Sequence, residues 1–342
     1  MEHLFTPYAY KGLHLKNRIV MPPMCQYSVT KEDGVATDWH FQHYVSRAVG
    51  GTGLIIVEMT NVEPDGRISN RCLGLWNETQ RDALKKIVDA VHAHGSKIAI
   101  QIAHAGRKAE NAEVPVSASD VQFDEHYRKP RSLSTDEVKL MVKKYQQSVK
   151  YAVEAGFDAI EIHGAHGYLI HQFHSPLTNK RADEYAELTR FGTEVIQAAK
   201  AVMPEDMPLI FRISAKEYVD GGYDVDTAIA LCKAYEKAGA EIFHISSGGE
   251  GPIGSRGKPG THAGYQVPLA RAVKHALKVP VIAVGRLDDA QLANATIGNE
   301  DADMVAVGRG MLRNPYWALE ANATLNKINQ QELVPKQYFA GF

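Results

Sequence analysis

Cysteine is scarce in this chain and odd in number. Cys25, Cys72 and Cys232 are the only three in 342 residues, lie far apart and form no CxxC pair. That excludes a disulfide framework and fits a reducing compartment, so a cytoplasmic protein is expected. No long block of like charge is present, and the formal net charge is -2. Nothing electrostatic therefore points to nucleic acid or to an acidic membrane. Long hydrophobic runs are missing too, so no segment reads as a bilayer span. The opening MEHLFTPYAYKGLHLKNR is polar and basic with no apolar run, which argues against a signal peptide. What the chain does have is 44% hydrophobic residues, enough for one large core or two modest ones.

Those apolar residues fall into short β-branched runs that alternate with longer amphipathic ones. The strand candidates are RIVMPP (18–23), GLIIVEMT (53–60), KIAIQIAH (97–104), AIEIH (159–163), PLIFRIS (208–214), AEIFHISS (240–247), VPVIAVG (279–285) and DMVAVGR (303–309). Helical patterns between them include 81–95, 135–156, 191–202, 223–239 and 266–278. Gly95, Gly156 and Gly239 stand where helix C-termini favour glycine. Near-continuous apolar strands joined through helices predict a parallel sheet covered on its outer face. An open doubly wound sheet would want GxGxxG after its first strand, and PPMCQY stands there instead. Eight βα units predict a single-domain (β/α)8 TIM barrel over 1–342. Residues 4–17 are expected to form a short hairpin capping the barrel bottom. Residues 105–134 are expected to form a long loop after strand 3, over the catalytic face.

In such a barrel the chemistry gathers at the C-terminal strand ends. Those positions hold Pro23-Met24-Cys25, Met59-Thr60, Gln101, His163 with His166 and Tyr168, Arg212, Ser246-Ser247-Gly248-Gly249, Gly285, and Gly308-Arg309. The stretch EIHGAHGYLIHQFHS (161–175) packs four histidines into twelve positions. A hydrolytic metal barrel would converge histidines from several strands, with carboxylates or HxH after strand 1. Here all four come from one loop and helix, His92 and His94 diverge on another helix, and no metal site is expected. AVG at 283–285 and VGRG at 307–310 bring glycines to the usual phosphate position after strands 7 and 8, and Arg309 offers a bidentate fork. Either tripeptide alone is ordinary turn chemistry, but together they point to a phosphorylated ligand. Read by themselves, Cys25 is a small buried hydrophobe and Arg212 a strand-end salt bridge.

The stretches PPMCQY, QIAHAGRKAE, IEIHGAHGYLIHQFHSPLTN, FRIS, GYQVP and VAVGRGMLRNP resemble the old yellow enzyme family of flavin-dependent ene-reductases. The similarity runs from about residue 4 to 342 and is closest to the bacterial, thermophile-type branch. The resemblance implies tightly bound FMN, its reduction by NADPH, and ping-pong hydride transfer to the C=C bond of enones, enals, maleimides or nitro compounds. It implies flavin contacts for Pro23, Met24, Cys25, Met59, Gln101, Arg212, Gly285, Gly308 and Arg309, with Cys25 tuning the potential and Arg212 stabilising the reduced, anionic flavin. His163 and His166 become the clamp on the substrate's activating oxygen, Tyr168 the proton donor and Tyr27 a second substrate-side tyrosine. His171 and His174 are expected to pack or to meet solvent. A homodimer or homotetramer is implied, with the tail 334–342 near a subunit interface.

Three departures stand out. Met59 replaces the family's small residue after strand 2 and is expected to crowd the flavin edge or narrow the pocket. AELTRFG (186–192) is a few residues shorter than the family's pattern. Ala340 stands where this branch often carries an arginine that reaches the neighbouring subunit's site. Two other readings stay open on the residues alone: a phosphate-ligand lyase or isomerase barrel without flavin, which would need a strand-end lysine or carboxylate, and a non-catalytic flavin-binding protein with Met59 closing the site.

Overall fold

The structure, a computed structural model, describes residues 2–251, 260 and 262–342. Eight parallel strands close into a barrel: β1 Ile19–Met21, β2 Leu54–Asn61, β3 Lys97–Ala103, β4 Ala159–Gly164, β5 Leu209–Ser214, β6 Ile242–Ser246, β7 Val281–Val284 and β8 Met304–Ala306, with β8 returning to pair with β1. Each lies inside its expected segment or within a residue of it. β1 stops at Met21 because Pro22 and Pro23 have no N–H to continue the ladder.

Side-chain alternation sorts every strand into two faces. Ile55 and Val57, Ile98 and Ile100, Ile160 and Ile162, and Phe211 and Ile213 point outward into the core shared with the helices. Val20, Leu54, Ile56, Ala99, Ala159, Ile210, Ile242, Ile282 and Met304 fill the lower barrel interior. The antiparallel hairpin Tyr8–Tyr10 with Leu13–Leu15 closes this end, driving buried Leu13 and Leu15 into the same cluster. Higher along the same inward rows the residues turn polar. Ala159 gives way to Glu161 and His163, Ile210 to Arg212 and Ser214, Ile242 to His244 and Ser246, and Ala99 to Gln101. The strands are therefore apolar where they seal the barrel and polar where they open on the site.

The outer ring comprises α1 Asp38–Val49, α2 Glu78–Ala93, α3 Thr135–Ala155, α4 Arg190–Lys200, α5 Val225–Ala238, α6 Val267–Ala276, α7 Ala290–Gly298 and α8 Trp317–Leu325. α3 starts at a capping box: Ser134 Oγ accepts from Glu137 N–H at 3.2 Å, and the Glu137 carboxylate accepts from Ser134 N–H at 2.7 Å. It ends at Gly156, whose φ of 92° suits a residue without Cβ. α1 escapes hydrophobic-period reading because its buried face carries His40, His43 and Arg47 beside Tyr44. Residues 105–134 leave β3 through a short turn at Gly106–Lys108 and add a parallel pair, Val116–Ser117 with Arg131–Ser132. Among the described residues no helix is long and apolar enough to cross a membrane.

Candidate active site

The histidine-rich segment forms a sharp turn at the top of β4. His166 and Gly167 both take left-handed backbone angles, φ 60° and 72°. Every N–H of the turn is held. Ala165 N–H donates to His163 Nδ1 at 3.2 Å, His166 N–H to Ser214 Oγ at 3.0 Å, and Gly167 N–H to His171 Nδ1 at 2.9 Å. Tyr168 N–H donates to Ala165 O. A strained turn with this many fixed donors is over-determined by its surroundings.

Three rings leave the turn together. The His163 and His166 centroids are 5.3 Å apart at right angles, and His163 and Tyr168 are 5.0 Å apart. Burial, reinforced by the Arg212 charge, holds both imidazoles well below their usual pKa, so they are neutral. Because His163 Nδ1 accepts from Ala165, its proton sits on Nε2. His166 Nε2 lies 2.7 Å from Ser246 Oγ. Burial raises the Tyr168 phenol well above its ordinary value, so it keeps its proton.

Beneath them, Gln101 Nε2 donates to Glu161 Oε1 at 2.8 Å, and Glu161 Oε2 lies 2.7 Å from His244 Nδ1. Arg212, next to both His163 and His244 in strand register, is buried. Burial lowers its pKa, and the Glu161 carboxylate opposes that. Among the described residues, Arg212 Nε and His244 Nε2 have no hydrogen-bond partner. Arg212 is thus no surface ion pair.

A cavity of about 340 Å3 opens beside this row, lined by Pro23, Met24, His166, Arg212, Gly285, Gly308 and Arg309 from the sequence expectation, with Ser246, Tyr265, Gln266 and Arg286 in addition. Gly285 has φ 127°, and a Cβ there would stand 2.8 Å from Gln266 Nε2. Gln266 itself accepts from Ser247 Oγ at 2.6 Å and donates to Val284 O at 2.9 Å. Cys25, Tyr27, Met59, Gln101, His163 and Tyr168 do not line this cavity. Met59 sits in a bulge of β2 between Val57 and Thr60, 2% exposed, in an apolar cluster with Ile68, Cys72, Ala103 and Ala105. Cys25 and Tyr168 pack against that cluster, and Tyr27 is exposed.

His171 and His174 pack rather than meet solvent, and both are fully buried. His171 Nε2 lies 3.0 Å from Glu217 Oε1, and His174 Nδ1 lies 2.9 Å from the Tyr235 hydroxyl. Sequence reasoning did not pick out Lys108. Its ammonium donates to His166 O at 2.8 Å and to Gly249 O, and lies 5.5 Å from the Tyr168 ring centroid. Burial pushes its pKa down to about 8. The usable signal was its place in QIAHAGRKAE, a cationic pair opening the long loop. Among the described residues, no group of three or more His, Cys, Asp or Glu could hold a metal.

The buried, unpartnered Arg212 Nε on one wall, and glycines with an arginine on the other, fit a planar polar ring carrying a phosphate. The cavity volume also falls within the range of about 300–1,000 Å3 usual for such ligands. This is a redox-cofactor barrel in plan. The sequence profile of the "NADH:flavin oxidoreductase / NADH oxidase family" matches residues 3–327. A Listeria innocua NADPH dehydrogenase is 45% identical over 99% of this chain and 98% of its own. A Clostridium acetobutylicum NADPH dehydrogenase is 43% identical over 99% of both. A structure of morphinone reductase in complex with tetrahydroNAD superposes with a TM-score of 0.82 at 27% identity, covering 95% of this chain and 91% of that one. The chain belongs to the NADH:flavin oxidoreductase / NADH oxidase family, the old yellow enzyme family, and is an FMN-dependent oxidoreductase.

Proposed function

We propose that this protein is an NADPH dehydrogenase that reduces activated alkenes, with enones, enals, maleimides and nitro compounds as the substrate class. The observation that carries the reading is the pair of neutral imidazoles, 5.3 Å apart, beside a protonated, half-buried tyrosine and near a buried guanidinium. When bound, FMN supplies the hydride chemistry, drawing two electrons from NADPH and passing them to the alkene. Gly285, Gly308 and Arg309 would hold its phosphate and Pro23, Met24 and Arg212 its ring within that cavity, with Cys25, Met59 and Gln101 bordering the ring beyond the cavity wall. Arg212 is a fixed charge in a dry site, where it needs no reorganisation to stabilise developing negative charge.

His163 Nε2–H and His166 clamp the carbonyl or nitro oxygen. For His166 the substrate oxygen competes with Ser246 Oγ. Withdrawing density towards these donors opens the β-carbon to hydride. Tyr168 protonates the α-carbon, and Tyr27 borders the substrate. The segment 105–134 contributes Lys108, which fixes the His166 carbonyl from outside the barrel. We further place the chain in the cytoplasm as one catalytic domain, a homodimer or homotetramer with residues 334–342 near the subunit boundary.

The deciding experiment is visual and spectroscopic. Purified protein should be yellow, bleach with NADPH under argon, and regain colour when 2-cyclohexenone is added. A colourless protein, or a yellow one that NADPH does not bleach, would overturn the assignment.

A further inference from the structure

β2 breaks register between Val57 and Thr60, and the bulge carries Glu58. By parity with Leu54 and Ile56 its side chain would join the inward row, but the bulge turns it towards α1. There it is fully buried. Glu58 Oε1 accepts from the Tyr44 hydroxyl at 2.9 Å, and Oε2 accepts from Gln26 N–H at 2.8 Å. Tyr44 is bound to the same residue twice, since its oxygen also accepts from Glu58 N–H at 2.9 Å. His40 Nε2 stands 3.5 Å from Oε1. One carboxyl thus joins β2, α1 and the loop after β1.

That loop has little else to hold it. Pro22 and Pro23 have no N–H, and among the described residues Gln26 is the one residue from 22 to 28 whose main-chain N–H has a hydrogen-bond partner. The Gln26 side chain closes the loop on itself, with Nε2 donating to Met24 O at 2.8 Å and Oε1 accepting from Trp39 Nε1 at 3.1 Å. Tyr27, next in the chain, takes a left-handed φ of 51°, which persists only where its surroundings fix it. Pro23 and Met24 line the cavity. We propose that Glu58 is a positioning residue: through Gln26 N–H its carboxyl sets where Met24 and Cys25 meet the flavin and where Tyr27 meets the alkene. The inference rests on the proposed function for those contacts, and on the hydrogen bonds alone for the anchor. The role needs no charge. Burial raises the Glu58 carboxyl to about 8, against the pull of Gln26 N–H and the Tyr44 hydroxyl. Protonated or ionised, it presents a lone pair to Gln26. The imidazoles on α1 do not demand an anion, because burial lowers His40 to about 4 and, with Arg47 adding to it, His43 to about 3. Without the carboxyl, Gln26 N–H loses its partner and the loop its tie to β2.

The test compares Glu58→Gln, Glu58→Asp and Glu58→Leu as purified holoenzymes. The Gln amide oxygen can still face Gln26 N–H, Asp keeps the carboxyl but falls one methylene short, and Leu has no acceptor. Deuterium uptake by mass spectrometry should be faster in the peptide covering 22–28 for Leu and Asp, and as in the wild type for Gln. In the same two variants KM for 2-cyclohexenone should rise roughly fivefold to tenfold, the worth of one buried hydrogen bond, and the visible absorption of the bound flavin should shift. Glu58→Gln should stay within about twofold of the wild type. Tyr44→Phe, which removes the other bond, should lower the thermal midpoint and leave KM and absorption unchanged. If Glu58→Leu does not fold, Asp and Gln decide alone, since a role for charge would put them in the opposite order. Wild-type exchange, KM and absorption in Glu58→Asp would reject the proposal, as would a Gln variant no better than Asp or a defect confined to the thermal midpoint. Exchange does not use turnover, so a bleachable, enone-reducing wild type beside variants with an undisturbed 22–28 peptide would reject this proposal and leave the function intact.

Discussion

At the scale of single residues, the site works by keeping groups in one protonation state. His163 and His166 are neutral because burial and Arg212 disfavour a second positive charge there. Tyr168 is protonated because the same burial disfavours a phenolate. In the proposed mechanism a donor fixed in its acid form, edge-on to His163 at 5.0 Å, serves one half-reaction only. Tyr168→Phe should therefore slow reoxidation of the reduced enzyme by 2-cyclohexenone roughly 10²–10⁴-fold, the usual worth of a positioned general acid. Bleaching by NADPH should change little. Stopped-flow absorbance of the two half-reactions separates them, and equal losses in both would remove Tyr168 from the role. The convergence of His163, Arg212 and Gln101 could be read from strand alternation. The partners of His171 and His174 could not, because Glu217, Tyr223 and Tyr235 reach them only through tertiary packing. Sequence spacing shows four histidines and cannot say which two are structural. The bulge of β2 that carries Met59 follows from a register shift with no local signature in the sequence.

At the scale of elements, the turn at 165–168 is where strand chemistry becomes site geometry. Gly167 is required twice over. Its φ of 72° is unfavourable for any residue with a Cβ, and a Cβ would stand 2.3 Å from Gly249 O. The neighbouring carbonyl cannot retreat freely, since Lys108 is bonded to it and to His166 O. Gly167→Ala should cost more than about 1 kcal/mol of stability, read as a fall in the thermal midpoint. It should also depress alkene reduction beyond what that loss explains, because His166 and Tyr168 flank the displaced backbone. A variant with wild-type midpoint and turnover would show that the turn relaxes without cost. Most elements of this scale were legible: each strand was an apolar run of β-branched residues, and α3 carried both its capping box and its terminal glycine. α1 was not, because a helix that buries histidine and arginine against its own barrel hides the hydrophobic period.

At the scale of the whole molecule, the described residues stack in layers: hairpin plug below, inward polar rows in the middle, and the β1, β4, β7 and β8 loops above. The tail is peripheral to this construction. Residues Lys336–Gly341 form a short helical turn, and Tyr338, Phe339 and Phe342 are exposed. They are held by Gln331 Nε2, which donates to Phe342 O at 3.0 Å and to Phe339 O at 3.4 Å. Ala340, at the position where related tails often carry arginine, has no charge or donor to offer a neighbouring site. Deleting residues 338–342 should accordingly leave alkene turnover within about twofold of the full chain, the range of surface changes worth around 0.5 kcal/mol. Turnover and size-exclusion mass should be measured on the same preparation. Dissociation with activity retained agrees with a self-sufficient barrel. Abolished turnover in an oligomer of unchanged mass would mean that an apolar tail, Phe342 included, does across the subunit boundary what the arginine does elsewhere.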